Sequence, residues 1–161
     1  MARLPRLDLA RQLHAVLQTA RSERPAFVDD GDRQRYIGLL LDVSRSAGVA
    51  IHAYALLDGQ VRLLVTPARS GGVGALMQSV GRHYVKAFNH RHGRTGSPWD
   101  GRFRSMIVES ATETLVRCLR WVEQAPETAG LTPHAADWRW SSAAHHLGLK
   151  ADVLVSEQIG R

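Results

Sequence analysis

The amino-acid sequence predicts an α+β fold, an antiparallel β-sheet flanked by α-helices, and two observations carry that expectation. The first is a hairpin signal: residues 50–57 (AIHAYALL) and 60–66 (QVRLLVT) are apolar runs separated by only Asp58-Gly59. The second is helical periodicity on both sides of that hairpin, with apolar residues recurring at spacings of three and four.

Taken in order, residues 9–18 (LARQLHAVLQ) fit a strand or a helix by pattern, and composition does not decide between them. Asp29-Asp30 precede the stretch 32–47, which places Tyr36, Ile37, Leu39, Leu40, Leu41 and Val43 on a broad apolar face. Gly48 stands where a helix C-cap belongs, so this stretch is read as a helix. In the hairpin, Asp58-Gly59 suits a type I′ turn, whose two central residues need positive φ. On its second strand, Val61, Leu63 and Val65 share one face while Gln60, Arg62 and Leu64 share the other. The break Ser70-Gly71-Gly72 leads into a helix over 73–90, with Val73, Leu76, Met77, Val80, Tyr84 and Phe88 on its apolar stripe. Residues 91–104 read as a loop, with three glycines and a proline. A short strand at 106–108 and a helix over 113–124, closed by Ala125-Pro126, follow. Ser141-Ser142 offer an N-cap for a last short helix through Leu147.

At 161 residues with 44% hydrophobic content, the chain is long enough for one domain with a real core. That domain is expected over 1–148, followed by a C-terminal tail at 149–161. The single cysteine, Cys118, excludes an internal disulfide and a multi-cysteine zinc site, and most simply packs as a small hydrophobe. No run of about 18 apolar residues appears, so no transmembrane helix is expected. The N-terminus carries arginines together with Asp8 and lacks a continuous apolar stretch, unlike a signal peptide. The expected location is cytoplasmic, with nucleoid association open, and the protein a monomer or homodimer.

Formal net charge is +6, and most of the excess falls in residues 82–104. That stretch holds Arg82, Lys86, Arg91, Arg94, Arg102 and Arg104 against one acid, Asp100. Tyr84, Phe88, Trp99 and Phe103 are interleaved. Cations for phosphates beside flat apolar faces for unstacked bases are the ingredients of a single-stranded nucleic-acid site. A solvated basic helix end whose aromatics serve the core has the same composition.

The order of segments resembles the single-tyrosine HUH transposases, and within them the REP-associated tyrosine transposases. The resemblance rests on His14 and on FVDDGDRQRYIGLL at 27–40, IHAYALLDGQVRLLV at 51–65 and GRHYVKAFNHRHGRTG at 81–96. WDGRFRSMIVE at 99–109, APETAGL at 125–131 and DWRWSS at 137–142 complete it. It implies a ferredoxin/RRM-like core, single-stranded or hairpin DNA as partner, and Mg²⁺ or Mn²⁺ held by a His-hydrophobic-His triplet. It also implies a tyrosine nucleophile, and Tyr84 matches that position. Tyr84 equally suits a core residue with a hydrogen-bonded hydroxyl.

The chain departs from the family where the metal belongs. The family's Met-Pro-Asn-His-Val-His-Leu-Leu-Val is replaced by Leu57-Asp58-Gly59-Gln60-Val61-Arg62-Leu63-Leu64-Val65. Gln60 supplies only a weak neutral oxygen, and Arg62 puts a fixed positive charge in the cation's seat. No metal or other cofactor is therefore expected at this degenerate position. The family's His-Leu-Asn-Pro-Val-Arg string is likewise replaced by Glu123-Gln124-Ala125-Pro126-Glu127-Thr128. His14 and His52 are candidate stray ligands, but lone strand histidines are more often structural. Trp138 and Trp140 are read as packing residues.

Three functions remain open on these residues. The leading one is a transposase-like DNA-binding protein without metal-dependent cleavage, contacting DNA through Arg62, Arg82, Lys86, Arg91, Arg94, Arg102 and Arg104. The second is an active transposase or nickase with Tyr84 as nucleophile and Arg62 standing in for the ion. The third is a protein-interaction module that keeps only the fold.

Overall fold

The computed structural model describes residues 7–156, so the outermost ends of the expected domain and tail lie outside the described residues. The order is β1 (Leu13–Thr19), α1 (Asp30–Ala47), β2 (Val49–Leu56), β3 (Gln60–Pro67), α2 (Gly72–His92), β4 (Arg104–Val108), α3 (Thr112–Glu123), α4 (Ala125–Thr128) and α5 (Ala143–His146). A 3₁₀ turn at Ala135–Asp137 precedes α5. The four strands are antiparallel in the order β2-β3-β1-β4. The first six elements therefore form a βαββαβ, ferredoxin-like unit.

Residues 13–19 become a strand because they sit between two partners. β1 pairs with β3 on one side and β4 on the other, so its backbone groups are satisfied across the sheet. α1 starts two residues earlier than its apolar period. The Asp29 side chain accepts from the Asp32 N–H at 3.1 Å, while the Asp32 carboxylate accepts from the Val28 N–H at 2.9 Å. Gly48 closes the helix at φ 68°, with its N–H on Ser44 O.

The Asp58-Gly59 turn joins β2 and β3 as expected but is not type I′. Neither residue has a positive φ. The turn is held from outside instead: Arg33 of α1 donates to the Asp58 carboxylate at 2.6 Å, and the Gly59 carbonyl accepts from the Ala20 N–H at 2.9 Å. β2 also carries an irregularity at His52, between the pairs Ile51↔Val65 and Ala53↔Leu64. The extra residue changes the phase of the strand, so Ile51 faces one core layer and Ala53, Ala55 and Leu57 face the other.

α2 runs to His92 rather than stopping at residue 90, because the side chains of its last turn are anchored to α1. Its first turn lacks a local side-chain cap. Asp8 supplies one from a distance, its carboxylate accepting from the Val73 and Gly74 N–H groups at 3.2 and 2.8 Å. At the start of α5, Ser142 stands at the N-cap position without capping. Its hydroxyl instead donates to Glu123.

Two core layers enclose the sheet. Val16, Val61, Leu63 and Val65 pack under α1 and α2 with Leu40, Leu76, Val80 and Phe88. Leu13, Ala15, Ala53, Ala55 and Leu64 pack under α3 with Leu115, Cys118, Leu119 and Val122. Part of the stretch 149–161 joins the first layer. Leu154 is buried, Ser156 N–H bonds to Ile51 O at 2.7 Å, and the Tyr54 hydroxyl donates to Asp152.

Candidate nucleic-acid interface

Gln60 and Arg62 lie on the α3 face of β3, as alternation requires. The Arg62 guanidinium lies over the Trp121 ring, 4.8 Å from its centroid. It donates through Nη1 to Trp121 O at 2.9 Å, and through Nε and Nη2 to Gln60 Oε1 at 3.1 and 3.0 Å. Partial burial lowers the Arg62 pKa from its ordinary value. The position where the resemblance places a divalent ion thus holds a braced guanidinium, and the one side-chain oxygen there is engaged by it. These residues do not fit Mg²⁺ or Mn²⁺. Among the described residues, no group of three or more His, Cys, Asp or Glu side chains is placed to hold a metal ion.

Tyr84 lies on the other side of the sheet. It is 1% exposed, in a cluster with Phe27, Tyr36, Phe88 and Trp99, and its hydroxyl donates to the Ala26 carbonyl. Burial, reinforced by Asp32, pushes its pKa far above the ordinary phenol value. The structure therefore does not bring Tyr84 together with Gln60 and Arg62. Phe88 and Trp99 are buried in the same cluster, which removes them as stacking platforms for bases.

The basic residues of 82–104 divide into four groups. Arg82, Lys86 and Arg102 are exposed, and line a groove of about 1010 Å³ between α2 and the 97–103 loop. Trp99 and Phe103 form part of its wall, and Asp8 is the one acid along it among the described residues. Arg91, in contrast, is consumed within the protein. It reaches both Asp29 oxygens at 2.5 and 2.7 Å and Asp32 at 2.7 Å, across Gly31, whose missing Cβ leaves it room. That pairing holds the Asp29 carboxyl down at about 2, and His92 completes the link to Asp32 at 2.9 Å. Arg94 packs near the Phe88 ring, 5.7 Å from its centroid. Arg104 sits on β4, on the α3 face with Arg62, since both pair with Leu17 of β1.

The histidines are structural. His14 is fully buried, its Nδ1 on Gln12 O at 2.7 Å and its Nε2 on the Leu9 N–H at 3.3 Å. His52 joins Thr66 Oγ1 at 2.8 Å to Ser156 O at 3.1 Å, and burial lowers its pKa. Cys118 packs in the second layer, where burial raises its thiol pKa. Trp138 and Trp140 donate to Leu56 O and Asp30.

Sequence reasoning missed Arg117, Arg120 and Trp121. The two arginines are three apart on α3 and therefore share a side of it. That spacing was a usable signal, but only the docking of α3 on the sheet shows that this side borders Arg62.

The fold defines the class: an α+β domain in which a ferredoxin-like βαββαβ unit has its second sheet face partly closed by α3. No family model matches the chain, and no curated protein matches it. Among solved structures, the chain is similar to a REP-associated tyrosine transposase bound to a REP hairpin, with a TM-score of 0.72 at 17% identity. That likeness covers 99% of this chain and 93% of the other, so the two share one fold throughout. A transposase-like protein of Deinococcus radiodurans aligns over 72% of this chain and 93% of its own, at 19% identity and a TM-score of 0.49.

Proposed function

We propose that this protein binds single-stranded or hairpin DNA in the cytoplasm, without a divalent cofactor and without metal-dependent strand cleavage. The observation that carries this reading is the groove along α2. Arg82, Lys86 and Arg102 face it with no ion-pair partner among the described residues, so their charge is available to phosphates. The fold shared with a transposase described as bound to a REP hairpin supports the same substrate class. Against strand cleavage stand the braced Arg62 and the buried Tyr84, which lie on opposite faces of the sheet. A tyrosine nucleophile needs its oxygen at the phosphorus and an activator beside it. Here that oxygen is committed to a backbone carbonyl within the core.

Fluorescence anisotropy with a labelled DNA hairpin carrying a single-stranded tail tests the reading. Affinity is expected to fall steeply with salt, and Arg82→Ala/Lys86→Ala to lower both the affinity and the slope. Absence of binding at low salt overturns the proposal. A covalent DNA adduct on a denaturing gel with Mn²⁺ would overturn its second half.

A further inference from the structure

The α3 face of the sheet carries a second cluster of cations. Beside Arg62, a cavity of about 580 Å³ is lined by Arg117, Arg120, Trp121 and Gln124, and no carboxylate among the described residues borders it. Arg117 and Trp121 also border an adjoining cavity of about 430 Å³ that Arg104 lines, again with no acid among the described residues. Arg104, Arg117 and Arg120 are exposed and have no ion-pair partner among the described residues. Arg62, Arg104, Arg117 and Arg120 thus border two adjoining cavities on this face, and Glu123 at the end of α3 is held by Ser142 and His146.

Arg62 is the organised member of the group. Its three hydrogen bonds and its contact with Trp121 fix the plane of the guanidinium. One N–H on each of Nη1 and Nη2 remains for a ligand. A rigid fork flanked by exposed cations of the same sign is the chemistry that recognises a phosphate, which accepts from several donors at once.

We infer that Arg62, Arg117 and Arg120 form a phosphate-binding pocket that takes a backbone phosphate of the bound DNA strand, on the sheet face opposite the α2 groove. The inference rests on the DNA-binding reading and adds a second contact to it. A single strand is the form that suits two contacts on opposite faces, because it can bend around the edge at β4. The pocket replaces a metal's charge with fixed cations, so it holds phosphate without supplying a Lewis acid.

The test uses inorganic phosphate and a short oligothymidylate as probes. Binding is read from the Arg62 Nε–H and Trp121 indole NMR signals, and from anisotropy across a salt series. Both probes are expected to move these signals in the wild type. Arg117→Ala/Arg120→Ala should weaken oligothymidylate binding about tenfold and lower the salt slope by about 0.7, one phosphate's share. Both positions are exposed, and near-UV circular dichroism checks that the variant keeps its fold. Arg62→Lys, which keeps the charge and loses the fork, should weaken phosphate binding as well. Unchanged affinity and slope in the double variant, with Arg82→Ala/Lys86→Ala still impaired, overturns the pocket and leaves the DNA reading standing. Phosphate moving the signals while no DNA binds overturns the strand contact and the DNA reading together, and assigns the pocket to a small phosphorylated ligand. Signals unmoved by either probe overturn the pocket outright.

Discussion

Replacing Tyr84 with phenylalanine removes one oxygen from the aromatic cluster and leaves the ring in place. The hydroxyl is buried and donates to the Ala26 carbonyl, for which no second partner is present among the described residues. Loss of the donor leaves a buried acceptor unsatisfied, which costs about 1–3 kcal/mol. For a chain of this size each kcal/mol moves the melting temperature by about 2–4 °C, so a fall of roughly 2–12 °C is expected. Urea unfolding followed by tryptophan fluorescence measures the loss, and Trp99, with its ring centroid 6.2 Å from that of Tyr84, reports from within the cluster. The midpoint should drop with an unchanged m-value. DNA affinity of the folded variant should match the wild type, because the hydroxyl faces the protein interior. Unchanged stability together with lost DNA binding, or a wild-type covalent adduct that the variant lacks, would refute this placement of Tyr84.

Arg91→Ala should destabilise the protein at neutral pH while changing DNA affinity much less than Arg82→Ala, as competing denaturation and anisotropy measurements would show. The Asp29 carboxyl is held at about 2, below its ordinary 3.8, so its pairing with Arg91 is fully present above about pH 4 and lost as pH falls through 2. The stability gap between wild type and Arg91→Ala should therefore close over that interval, and a gap that is constant down to pH 2 would contradict the pairing. Asp8→Ala removes the distant cap of α2, with an expected loss of about 0.5–2 kcal/mol in urea unfolding. It also removes an acid that lines the α2 groove, so DNA affinity measured under folding conditions should rise, opposite in sign to the stability change. Gln60→His/Arg62→His places two imidazoles on one strand face in place of the guanidinium, and calorimetry should detect Mn²⁺ or Zn²⁺ binding that the wild type lacks.

The hairpin, the C-cap at Gly48 and the two faces of β3 were legible in the sequence because each depends on near neighbours. A positive φ at a helix end and the alternation of a strand are local properties of the backbone. The same logic failed where distant residues decided. Residues 13–19 are a strand because β3 and β4 flank them, and α2 gains its last two residues because Arg91 and His92 meet the acids of α1. The turn at Asp58-Gly59 departs from type I′ with Arg33 holding it from another element.

The candidate site divides along the same line. Composition and order alone determined that the chain is a basic α+β domain, that positions 60 and 62 of its hairpin carry Gln and Arg rather than imidazoles, and that cations gather in residues 82–104. Tertiary structure decided which of those cations are available: Arg91 is neutralised by Asp29 and Asp32, whereas Arg82, Lys86 and Arg102 line an open groove. It also placed Tyr84 and Arg62 on opposite faces of one sheet and brought Arg117 and Arg120 beside Arg62. The reason is physical. A side chain's direction along its own strand or helix follows from local geometry, but the charge that will meet it, and the face another helix will cover, depend on how the chain returns to the sheet.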